Sequence, residues 1–133
     1  MKTNSDSIPE GATDEEINMY LKAFLNEKDD MIKEKGIIYT FEQLEKIAEN
    51  ENDTLYYGYE EKYINEIKNF IENNLDYNNY ELIDIILTIV INMNLDSIWN
   101  MIIAENNLTN QDVIELIEDV KKENSEYNYF PKY

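Results

Sequence analysis

A chain of 133 residues with 43% hydrophobic side chains is sized for one domain around a single core. Its 29 acidic residues against 11 basic ones, all of them lysine, leave a formal net charge of -18, a field that repels nucleic acid and anionic membrane and attracts cationic partners. Cysteine and histidine are absent, which excludes a disulfide framework, thiol chemistry and zinc sites built from those two ligands.

Residues 1–12 contain Ser, Asn, Pro and Gly with a lone Ile8, and read as a flexible leader. They lack the apolar run of a signal peptide, so the expected location is the cytoplasm. A helical domain over 13–126 follows. Thr13 and Glu16 have capping-box spacing, and Ile17, Tyr20, Leu21, Phe24, Leu25, Met31 and Ile32 recur with helical period up to Gly36, a C-terminal cap. Ile37-Ile38-Tyr39 reads as a short extended link to a second capping box at Thr40 and Gln43. That box opens a helix with Phe41, Leu44, Ile47 and Ala48 on one face and acids on the other.

The stretch from Glu49 to Thr54 has turn composition, and a third helix is expected from about Tyr59 to Asn74 on Tyr63, Ile64, Ile67, Phe70 and Ile71. From Tyr80 the chain is apolar nearly all round as far as Met93. Its β-branched content also fits a buried strand, but its length and its helical neighbours favour a central, deeply buried helix. Asp96 is expected to cap a short helix with Ile98, Trp99, Ile102 and Ile103, and Thr109 a last one with Val113, Ile114, Leu116, Ile117 and Val120. The short links at 92–95 and 106–108 imply antiparallel αα-hairpins in the C-terminal half. The fold class is therefore all-α, one bundle of about five to six helices. The aromatic tail, 127–133, has no helical period and either docks on the bundle or presents its rings to a partner.

Catalytic chemistry finds little to work with. Three glycines, at 11, 36 and 58, make no phosphate loop, and Asp76, Asn78 and Tyr80 begin a calcium-loop spacing that fails because Glu81 stands where that loop needs glycine. No pair of carboxylates stands out as a hydrolytic dyad. The expectation is a binding protein with no catalytic residue, cofactor or metal.

The segment that best fits binding holds Glu42, Glu45, Glu49, Glu51, Asp53, Tyr56, Tyr57, Tyr59, Glu60 and Glu61. Glu42, Glu45 and Glu49 fall at i, i+3 and i+7 and share a helix face. The tyrosines beside them offer stiff amphipathic contact area, while carboxylates around them select a basic partner. The alternative is that Tyr56, Tyr59 and Tyr63 belong to the core and the acids are only solvated.

Asp53-Thr54-Leu55-Tyr56-Tyr57-Gly58 resembles the Tyr-Tyr segment by which colicin DNase immunity proteins grip their nuclease, and Tyr80 to Lys122 resembles the helical immunity proteins of contact-dependent inhibition systems. The resemblance implies an immunity protein that neutralises a cognate secreted toxin domain. The toxin would be a nuclease, whose basic substrate-binding surface or active site is covered. A phage-encoded acidic inhibitor (an anti-CRISPR or nucleic-acid mimic) and a helical protein-protein adaptor stay open as alternatives. No direct contact with nucleic acid or membrane is expected in the first reading.

Overall fold

Ile17, Leu21, Phe24 and Leu25 place one apolar stripe on a helix, and the computed structural model, which describes residues 14–51 and 59–130, buries all four on α1 (Asp14–Lys35). Asp14, Glu15 and Glu16 occupy its first turn and Lys33 and Lys35 its last, each sign matched to the helix dipole. Thr13, the expected cap, lies outside the described residues. Gly36 ends the helix at φ +94°, its N–H donating to the Ile32 carbonyl at 3.0 Å.

The chain re-enters a helix at once, which corrects the expected extended link: Ile37, Ile38 and Tyr39 form the first turn of α2 (Ile37–Glu51). Thr40 is not a cap. It is fully buried inside the helix, with its hydroxyl donating back to the Gly36 carbonyl at 2.9 Å, and Gln43 is buried one turn further on. A threonine hydroxyl satisfies itself equally well on the preceding turn as at a helix start. With glycine supplying the turn in one residue, Ile37 and Ile38 reach the core from a helix.

Helix α3 (Glu61–Asn74) begins two residues later than expected, with Glu60 as its N-cap residue. The cap comes from elsewhere: the Glu60 N–H donates to Asn18 Oδ1 at 2.8 Å, tying the start of α3 to the start of α1. Phe70 of α3 then joins three helices. It stacks on Phe41 of α2 (4.7 Å between ring centres, 15° between planes) and meets Phe24 of α1 edge-on (5.8 Å, 74°).

Asp76, the start of the rejected calcium loop, makes a turn by accepting from the Asn78 N–H, and Asn79 caps α4 (Tyr80–Asn92) by accepting from the Leu82 N–H at 3.1 Å. As expected, α4 is the buried hub: Leu82, Ile83, Ile85, Ile86, Leu87, Ile89 and Val90 are all inside, and α2, α5 and α6 pack against it. Its exit is a Schellman turn. Asn94 adopts φ 54°, its N–H donates to Ile91, and Leu95 N–H donates to Val90.

That turn buries Leu95 as the residue preceding α5 (Asp96–Ala104), so Asp96 is the first helical residue and not its cap. Likewise the cap of α6 (Gln111–Tyr127) is Asn110, whose side chain accepts from the Val113 N–H; Thr109 instead reaches Asn78 at 3.4 Å. Tyr127, expected in the tail, ends this helix. Asn128 turns the chain at φ 49°, and Asn124 accepts from the Tyr129 N–H. Phe130 lies flat on Trp99 with ring centres 5.2 Å apart, so the tail docks at least to this residue. The result is an all-α bundle of six helices over the described residues, none of them long and apolar enough to cross a membrane.

Candidate functional site

Burial of Phe41, Leu44, Ile47 and Ala48 fixes the rotation of α2 about its axis, and this turns Glu42 and Glu49 to solvent with Glu45 half-buried between them. The three carboxylates that share a face by spacing therefore share it in space. Because α2 packs on α4, Asp84 joins them from the one strongly polar position in the middle of that helix.

Glu45 records the crowding. Its carboxyl is pushed above the ordinary carboxylate range first by partial loss of water and then by the charges of Glu49, Asp84 and Glu42, with the Lys46 ammonium alone acting in the opposite direction. The face is thus a focus of negative charge that the protein neutralises poorly.

The other expected contact residues do not join this group. Glu60 and Glu61 are exposed at the start of α3, where Glu60 pairs with Lys62 at 3.4 Å, and neither is among the charges acting on Glu45. Tyr59 is half-buried and packs against the core with Tyr63, as the core reading of these two tyrosines expects. Glu51 ends α2. Asp53, Tyr56 and Tyr57, the centre of the resemblance to immunity proteins, lie outside the described residues.

Two further features were not singled out from the sequence. Asp112, Glu115 and Asp119 repeat the i, i+3, i+7 spacing on α6, and with Leu116 and the half-exposed ring of Tyr80 they line a cleft of about 220 Å³. The sequence also has no lysine or arginine between Lys68 and Lys121, so α4 and α5 are without cations while α1 and α3 hold six. Both signals were present in the spacing of charges and not in any motif. Among the described residues no group of three or more carboxylates is arranged to hold a metal ion.

Comparison with known proteins finds no matching protein-family model, no similar curated protein and no matching solved structure.

Proposed function

We propose that this chain is an acidic inhibitor of the immunity-protein kind, which binds and neutralises a cognate toxin domain in the cytoplasm of the cell that makes it. The partner is a basic protein, a nuclease in the form we favour, and the inhibitor acts by covering its substrate-binding surface or active site. One observation above all supports the reading: Glu42, Glu45, Glu49 and Asp84 gather on the face of α2 and α4, where partial burial first and then the neighbouring carboxylates raise the pKa of Glu45. A lysine- or arginine-rich surface laid on this face relieves that repulsion, so binding gains what folding forgoes. Glu60, Glu61 and the tyrosines of the preceding segment extend the contact in this proposal.

The cation-free stretch between Lys68 and Lys121 favours a second reading, in which acids spread over α4, α5 and α6 imitate a nucleic-acid backbone and occupy a basic channel.

The test is affinity capture of the tagged chain from its native host, followed by nuclease assays on whatever basic protein is recovered. Glu42→Gln, Glu45→Gln and Glu49→Gln combined should weaken capture at least tenfold, on the order of 0.5–1 kcal/mol per rim charge, while helical circular dichroism is unchanged. Undiminished binding by the triple variant would rule out this face. Recovery of a nucleoprotein effector in place of a toxin supports the second reading.

A further inference from the structure

We infer that the groove between α1 and α3 binds an extended, basic peptide segment whose main chain is held by the carboxamides of Asn69 and Asn73. The two helices run parallel, since Asn18 near the start of α1 holds the start of α3, and Lys28 further along α1 lies over the Phe70 ring of α3 at 5.7 Å. Phe70 is drawn inward by Phe24 and Phe41. Outside it, the helices leave an open groove of about 530 Å³ floored by Phe70 and Ile32. That volume is within the range of about 300–1,000 Å³ usual for ligand sites.

Asn69 and Asn73 stand one helical turn apart on the α3 wall, both exposed, and among the described residues neither side chain makes a hydrogen bond. Their neighbour Asn74 is different: its amide is turned inward and donates to the Phe70 carbonyl at 2.8 Å. A free carboxamide offers one acceptor and two donors, the complement of a peptide C=O and N–H. Four residues of α-helix advance about 6 Å, and two residues of extended chain advance about 6.6–6.8 Å. Two asparagines at i and i+4 are therefore in register with alternate peptide units of an extended strand.

Charge selects the side chains of that strand. Asp29 and Glu66 line the groove, and its one lysine, Lys28, is already engaged with Asp29 at 3.6 Å and with the Phe70 ring. The last turn of α3 has no basic residue of its own to offset the negative end of its dipole. With Asp29 paired to Lys28, lysine or arginine on the strand complements Glu66 and that helix end. The groove lies on other helices than the Glu42, Glu45 and Glu49 face, so this inference holds or fails independently of the function proposed above.

The experiment titrates acetyl-(Lys-Ser)4-amide into the isotope-labelled chain and follows the side-chain amide resonances of Asn69 and Asn73. An analogue with every serine amide N-methylated has the same charge but lacks half of the main-chain donors. The parent peptide should shift both carboxamides and bind roughly tenfold or more tightly than the methylated one. The Asn69→Ala, Asn73→Ala double variant should lose that preference with its helical circular dichroism intact, and the Glu42, Glu45, Glu49 triple variant should retain it. Equal binding of the two peptides, an unaltered preference in the asparagine variant, or no shift at either carboxamide overturns the inference.

Discussion

Replacing Asn94 by glycine should stabilise the protein, against the usual direction of such a change. Asn94 holds φ 54° in the turn between α4 and α5, a region in which a side chain costs energy and glycine does not. Its Oδ1 is buried with no hydrogen-bond partner, and an acceptor stripped of water without compensation costs about 1–3 kcal/mol when fully desolvated. Both main-chain bonds of the turn, Asn94 N–H to Ile91 and Leu95 N–H to Val90, survive the substitution. Against these gains stands the extra freedom of glycine in the unfolded chain, about 0.4–1 kcal/mol. The balance is a gain of about 0.5–1.5 kcal/mol, visible as a rise of roughly 2–6 °C in Tm and a later urea midpoint at unchanged slope. Asn94→Ala separates the two causes, because alanine also removes the orphaned oxygen but keeps the backbone cost. Glycine should exceed alanine here by about 1 kcal/mol, the reverse of their order inside a helix. An alanine variant as stable as the glycine one would refute the reasoning.

Ile86 has no exposed surface at the hub of α4, and Ile86→Ala should cost about 2–5 kcal/mol in urea denaturation by opening a cavity there. Glu45 binds its proton more tightly folded than unfolded, so its contribution to stability grows as pH falls from neutral through its raised pKa and levels off below the ordinary value of 4.5. Glu45→Gln should therefore be more stable than the parent at neutral pH, with the difference shrinking on acidification, as denaturation at several pH values will show. Phe130→Ala should red-shift the emission of Trp99, the single tryptophan, and increase its quenching by acrylamide while far-ultraviolet circular dichroism is retained.

Periodicity made the long elements legible, because burial imposes it directly. Ile17, Leu21 and Phe24 on α1 repeat at helical spacing, and the apolar run of α4 is too long for a usual strand; all three and most of that run are buried in the fold. The helix starts were harder to read. Thr40 with Gln43 has the spacing of a cap, but a hydroxyl that returns to the Gly36 carbonyl leaves the same trace in sequence, and only the left-handed turn at Gly36 decides between them. At α6 two good capping residues stand side by side and Asn110 takes the role; at α5 the cap position is held by Leu95, which the Schellman turn buries.

The same division runs through the candidate site. Glu42, Glu45 and Glu49 were readable as one face because spacing on a single helix determines it. Asp84 was not, since its place beside Glu45 depends on how α2 and α4 pack, and the pairing of Lys28 with Phe70 depends on α1 against α3 in the same way. Tyr59 shows the opposite limit. Its spacing suited both a core and a contact role, and in the fold it packs half-buried against the core.

Although α1 and α3 hold six lysines and α4 and α5 none, ten acids on the first pair and three on the second leave every helix of the bundle a net anion. A basic surface therefore attracts the body from every side, with no helix of opposite sign to turn away. The pull is felt within about a Debye length, roughly 8–10 Å at physiological salt, before any side chain touches. Capture thus begins in many orientations and is sorted by contact, and added salt slows it without changing which face finally holds.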